Sequence, residues 1–243
     1  MKLIKLNAIA STSSFLKELS QNSVLENYTV VVTKEQTNGR GQQANSWVSE
    51  PSKNLTMSVF INGFNLEIIN QKYLNFAISL AIFDVLYTKE IGKLSIKWPN
   101  DILSANKKIC GILIENSIRS NDIYASIVGI GLNVNQIKFP DFLENASSLK
   151  KITQNNYDLD SLLFEIIAQI KKRVKLVKAK KYTELENDYL NVLYKKNIPT
   201  MFKDSTDVLF MGMITGISVE GNLQVELADE TTKEFRIKEI SIA

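Results

Sequence analysis

Apolar and polar residues alternate along Leu55-Thr56-Met57-Ser58-Val59-Phe60-Ile61, which predicts a strand with one face in a core. The β-branched run Val30-Val31-Val32 predicts another strand, and Leu94-Ser95-Ile96 a short buried one. Residues 70–91 follow a different period. Leu74, Ile78, Ile82 and Val85 recur at intervals of three and four, the spacing of a long helix with one core face. Ile102-Leu103, the polar turn Ser104-Ala105-Asn106-Lys107 and the run from Lys108 to Glu115 predict a hairpin. Tyr124 to Asn135 continues the sheet, and residues 160–194 are mostly helical, with Leu163, Ile167, Ile170, Val174 and Val177 as the apolar positions. The first residues, Met1 to Leu6, alternate and then turn polar, which predicts an opening strand rather than a signal peptide or a helix-turn-helix.

The pattern changes near Lys195. From Asn197 onward short alternating segments are punctuated by Gly212, Gly216 and a Gly221-Asn222 turn, as in a small all-β barrel. The expected architecture is therefore α/β (α+β), a mixed sheet with flanking helices over residues 1–194 and a β-barrel over residues 195–243. One connection is long for a compact domain. Thr37 to Lys53 is rich in Gly, Asn, Gln and Ser, and loops of that length are usually functional.

Composition narrows the chemistry. With 44% hydrophobic and 23% charged residues, the chain of 243 is an ordinary globular one. It has no run of the ~18–20 apolar residues a membrane span needs, so no membrane partner is expected. The lone cysteine, Cys110, excludes an internal disulfide and fits a reducing cytoplasm. The chain has no histidine, which removes Ser-His-Asp and Cys-His catalysis and every His-ligated metal site. Lys, Arg, Asp, amides and backbone groups remain, a set suited to positioning and charge stabilisation. A net charge of +3 is too small to argue for a nucleic-acid partner.

The densest local signal is Lys97-Trp98-Pro99-Asn100-Asp101. Pro99 has no N–H for a sheet ladder, so the strand stops there or lies at an edge, which leaves charged and polar groups clustered at its end, where binding groups are usually presented. Two further segments carry comparable signals. One is Glu35-Gln36-Thr37-Asn38-Gly39-Arg40-Gly41-Gln42, with Trp47 and Asn54-Leu55 beyond it. The other is Gly129-Ile130-Gly131-Leu132-Asn133-Val134-Asn135. Glycines let a backbone approach a ligand closely, and Arg40 supplies a planar fork of donors. Taken alone, Gly39-Arg40-Gly41 is equally a plain surface turn.

In this order and spacing, with Lys108 and Gly111 after the second segment, the chain resembles the biotin–protein ligases from the Ser11-Thr12 pair to the C-terminal barrel. The resemblance implies ATP-dependent joining of biotin to a lysine of a biotin carboxyl carrier domain through biotinyl-5′-AMP, with Mg²⁺. It implies that Lys108 contacts the biotin carboxylate and the reacting phosphate, with Arg40 and Asp101 as the other catalytic groups. Ser11, Thr12, Ser13 and Gln36 would bind the ureido head, and Gly39, Gly41, Gln42 and Gly111 would line the biotin site. Trp47, Lys97, Asn100 and Asn133 would serve the nucleotide. Asp101 is placed either to hold Mg²⁺ or to take the proton of the acceptor amine. Simpler readings stand beside these: a helix N-cap for Ser11 to Ser13, core packing for Trp98 and a β-bulge for Gly111.

The family often has Gly-Arg-Gly-Arg and then Gly-Arg before its tryptophan. Here Gln42 and Ala44-Asn45 replace two of those arginines, which implies a looser hold on the adenylate. The C-terminal segment resembles the family's SH3-like domain. Exposed sheet edges in the family often pair, which leaves a homodimer open. A lipoate or octanoate ligase of the same superfamily, or a non-catalytic module binding biotin or the carrier, are the alternative readings. The basic stretch from Lys171 to Lys181 reads as a solvated face, or more weakly as steering for an acidic carrier.

Overall fold

The computed structural model describes residues 1–42 and 45–243. Seven strands form a mixed sheet in the order β1-β2-β3-β7-β6-β5-β4. They are β1 (Leu3–Ile9), β2 (Thr29–Gln36), β3 (Leu55–Glu67), β4 (Leu94–Lys97), β5 (Asp101–Ser104), β6 (Lys107–Arg119) and β7 (Asp122–Leu132). Of the named strands in this sheet, β1 and β2 pair in parallel, and a parallel pair needs a crossover. Helix α1 (Thr12–Asn22) supplies it. The register Ile9↔Gln36 then sets the turn into α1 beside the end of β2, which is how Thr12 comes to meet Gln36.

Strand alternation divides the apolar residues between two layers. Val31 and Ile127 pack with Leu16 of α1 on one face. Their neighbours Val30 and Val128 join the main core on the other face, under α2 (Gln71–Thr88), α4 (Leu159–Lys178) and α5 (Tyr182–Asn191). Leu74, Ile78 and Ile82 of α2 are fully buried and Val85 nearly so, as their spacing predicts.

Three details depart from the sequence reading. Strand β3 runs past Ile61 to Glu67, with an irregularity after Asn62 where Gly63 takes φ +71°. The helical stretch after residue 160 is two helices, because Lys180 adopts a left-handed φ of 52° and ends the first. A further short helix, α3 (Leu149–Thr153), is capped by the Ser148 side chain.

The C-terminal segment forms a separate five-stranded antiparallel sheet in the order β11-β10-β9-β8-β12. Its strands are β8 (Pro199–Asp204), β9 (Leu209–Ile217), β10 (Leu223–Leu227), β11 (Thr232–Phe235) and β12 (Ile240–Ile242). Trp98 is half-buried against the main core, and its indole N–H donates to the Gly221 carbonyl at 3.1 Å. Lys72, buried on α2, donates to the Ser218 carbonyl at 2.9 Å and pairs with Glu186 at 3.0 Å. The C-terminal sheet is thus tied to the helices and to the Lys97–Asp101 corner at the same time.

Candidate active site

Three glycines open a trough in the sheet beneath the start of α1. The register sets Gly111 of β6 opposite Gly131 of β7, and Leu113 opposite Gly129. Gly39 to Gln42 and Asn45 to Trp47 lie over the trough. Arg40 bridges to Ser46, the Gly41 N–H donates to the Asn45 carbonyl, and the Trp47 N–H to the Gly39 carbonyl. The Trp47 indole rests on the two facing glycines. A Cβ at Gly131 would stand 2.3 Å from Trp47 Cε2, and one at Gly111 3.1 Å from Trp47 Cζ3. Gly111 is therefore a place of close approach; the bulge of this hairpin falls beside it, where the β5–β6 register shifts between Ile102 and Leu103.

A cavity of about 90 Å³ lies under this hairpin, small beside the ~300–1,000 Å³ of ordinary ligand pockets. Its walls include Ser11, Thr12, Ser13 and Gln36 at one end, and Asn100, Lys108 and Gly111 at the other. Arg40, Gly41, Gln42 and Trp47 lie along its roof. Lys108 is held by its backbone, whose N–H donates to the Asn145 carbonyl at 2.6 Å. Its Nζ lies 2.7 Å from Asp101 Oδ1 and 5.8 Å from the centre of the Trp47 ring. Asn100 is buried, and its side-chain amide donates to the Ile112 carbonyl.

At the other end Ser11 caps α1, accepting from the Ser14 N–H at 3.3 Å. Thr12 donates to Gln36 Oε1 from both its N–H and its hydroxyl. Arg40 reaches beyond the cavity to pair with Glu115 of β6, which Lys17 also approaches at 3.5 Å. Burial pushes the Cys110 thiol well above the ordinary range, with Asp101 adding to the effect and Lys108 opposing it. Burial likewise raises the Tyr189 hydroxyl beneath Pro99, again with a contribution from Asp101.

Most of the residues expected from the sequence are brought together. Gly39 is buried at the foot of the hairpin. Lys97 is not brought in: it lines a different cavity, with Trp98, Tyr194 and Phe202, against the C-terminal sheet. Asn133 lies behind the site and gives its side-chain amide to the Ser147 carbonyl, while its Oδ1 is buried without a partner among the described residues. Ala44 lies outside the described residues. The sequence reading missed Ser58, Leu113 and Glu115, and named Gly129 and Gly131 only as part of a motif. Gly111 and Gly131 were findable as a pair once their strands were set side by side. Nothing in the sequence marks Glu115 as the partner of Arg40.

A lysine–aspartate pair, a hydroxyl- and amide-rich end and a Gly-Arg-Gly roof converge on one trough. The chain belongs to the biotin/lipoate A/B protein ligase family, whose model matches residues 6–133. It is 32% identical over 239 residues to the bifunctional ligase/repressor BirA of Bacillus subtilis, covering 96% of this chain and 72% of that one. It is 34% identical over 106 residues to the biotin–[acetyl-CoA-carboxylase] ligase of Paracoccus denitrificans, 43% of each. Among solved structures, the biotin protein ligase of Aquifex aeolicus in complex with biotin and ATP matches with a TM-score of 0.80 and 26% identity. The match covers 100% of this chain and 98% of that one.

Proposed function

We propose that this protein is a biotin–protein ligase that works in two steps on one site. A biotin carboxylate oxygen attacks the α-phosphorus of ATP, and the bond to pyrophosphate breaks, giving biotinyl-5′-AMP. The ε-amine of a carrier-domain lysine then attacks the acyl carbon, AMP leaves with the acyl oxygen, and the amine gives up a proton. The observation that carries this reading is the polarity of the trough, with a cation at one end and neutral hydrogen-bonding groups at the other. A molecule with a carboxylate on one side and a urea on the other fits that order.

In this scheme Lys108 neutralises charge that builds on the carboxylate and α-phosphate. Asp101 holds the Lys108 ammonium at 2.7 Å and stands where the incoming amine must shed its proton. Ser11, Thr12, Ser13 and Gln36 receive the ureido head, Arg40 and its flanking glycines close over it, and Trp47 covers the middle. Asn100 fixes the corner beside Lys108, while Lys97 and Asn133 support the nucleotide side from outside the cavity. Magnesium comes with the triphosphate. A single carboxylate such as Asp101 suits an ion that keeps most of its waters, and among the described residues no cluster of three His, Cys, Asp or Glu side chains is placed to cage a metal. We assign residues 1–194 to the catalytic unit and 195–243 to a second unit beside the site, and the acceptor to a biotin carboxyl carrier domain in the cytoplasm.

The test is pyrophosphate release with ATP-Mg²⁺ and biotin, lipoate or octanoate in turn, followed by mass measurement of a carrier domain. Release and a biotinyl mass increment with biotin alone are expected. Turnover with lipoate or octanoate instead would move the protein to the sister ligases. Lys108→Ala is expected to abolish release while leaving the melting temperature near wild type; release at the wild-type rate would refute its role.

A further inference from the structure

The innermost polar group of the site is one that the cavity wall does not display. Ser58, on β3, is fully buried, and its hydroxyl lies 2.8 Å from that of Thr12 and 2.9 Å from that of Ser13. Thr12 meets Gln36 Oε1 from its N–H at 2.8 Å and from its hydroxyl at 2.9 Å. Every proton in this cluster is directed by one fixed donor. A backbone N–H only donates, so the Gln36 atom it meets is the amide oxygen. That oxygen only accepts, so the Thr12 hydroxyl must donate to it. A hydroxyl has one proton. Thr12 therefore accepts from Ser58, and Ser58, its own proton committed, accepts from Ser13.

The two ends of this chain are what a ligand meets, because Gln36 and Ser13 both line the cavity. The orientation of Gln36 leaves its two Nε2 hydrogens outside the chain. Ser13 has turned its proton inward and faces the cavity as an acceptor. Gly129 leaves it room, since a Cβ there would stand 2.6 Å from Ser13 Oγ. A donor and an acceptor side by side complement a cyclic urea, whose carbonyl accepts and whose ring N–H groups donate.

We propose that Ser58 is a specificity-determining positioning residue: without touching substrate, it fixes Ser13 as an acceptor and so selects for ring N–H donors. The inference rests on the ligase reading above. Without the Ser58 hydroxyl, the Ser13 proton has no inward acceptor and is free to turn into the cavity, so a ring oxygen becomes as welcome as an N–H.

The experiment is calorimetric titration of the full chain with biotin and with the two cyclic carbamate analogues in which one or other ureido N–H is an oxygen. Wild type should prefer biotin over at least one analogue by about tenfold, the scale of one unmatched buried polar group. Ser58→Ala and the near-isosteric Ser58→Cys should bring that ratio close to one, and Ser58→Thr, which restores a hydroxyl, should keep it. Parallel weakening of all three ligands, with the ratio unchanged, would reduce Ser58 to packing and overturn the proposal. So would a wild type that does not distinguish the carbamates from biotin. A wild type that binds no biotin at all would instead overturn the ligase reading.

Discussion

Gly131 illustrates how much a single residue decides here. Any side chain at this position meets the Trp47 indole at 2.3 Å, with Trp47 Cζ2 and Nε1 close behind. Gly131→Ala is expected to lift Trp47 off the trough and weaken the combined binding of biotin and ATP about tenfold or more, with little loss of fold. Titration calorimetry beside a thermal melt checks it, and unchanged affinity would mean that Trp47 plays no part in covering ligand. Cys110 gives the opposite expectation. Its thiol is fully buried and raised by that burial, so its thiolate fraction stays below that of a free cysteine throughout neutral and mildly alkaline pH. Iodoacetamide at pH 8 should leave the native chain unmodified and label it once unfolded, as mass spectrometry would read. Legibility divides along the same line. Asp101 stands out because it closes a polar cluster behind a strand-ending proline, and Arg40 because glycines flank it, whereas Lys108 is marked only by the resemblance to the biotin–protein ligases. Ser58 could not be picked out, because a serine in an alternating strand reads as a filler until Thr12 and Ser13 are seen beside it. The direction of Lys97 was equally hidden, since it depends on where the C-terminal sheet docks.

Among the elements, the three large helices are joined by one guanidinium. Arg173 of α4 donates to both carboxylate oxygens of Asp84 on α2 and to Asp188 on α5, and its side chain is only 15% exposed. Removing it strands two carboxylates, so Arg173→Ala should cost about 2–4 kcal/mol in denaturant unfolding. A loss under ~0.5 kcal/mol would show that water replaces the arginine freely. The helices themselves were legible from their apolar spacing. The break between α4 and α5 was not, because Lys180 reaches its left-handed conformation without a glycine or proline to announce it. The strands were legible in place but short in length. β3 continues beyond Gly63 because β7 offers partners as far as Asp122, a constraint no single segment contains.

At the scale of the whole molecule, polar ties among the described residues join the C-terminal sheet to the rest. Lys72 is the most buried of them, with a side chain 7% exposed, and it spans α2, α5 and the Ser218 carbonyl. Lys72→Met should loosen the C-terminal sheet first, splitting the calorimetric melt or broadening it on the low-temperature side. A single unshifted transition would mean that the apolar contacts between the sheets suffice.

Trp98 anchors that junction, while Trp47 sits on the roof of the trough, and the chain has only these two tryptophans. In optical terms the protein carries its own paired probes, one at the trough and one where the two sheets meet. With Trp98→Phe the remaining emission comes from the indole that lies against Gly131 and within 5.8 Å of the Lys108 ammonium. Its colour and intensity are expected to change as biotin and ATP are titrated in, without any added label.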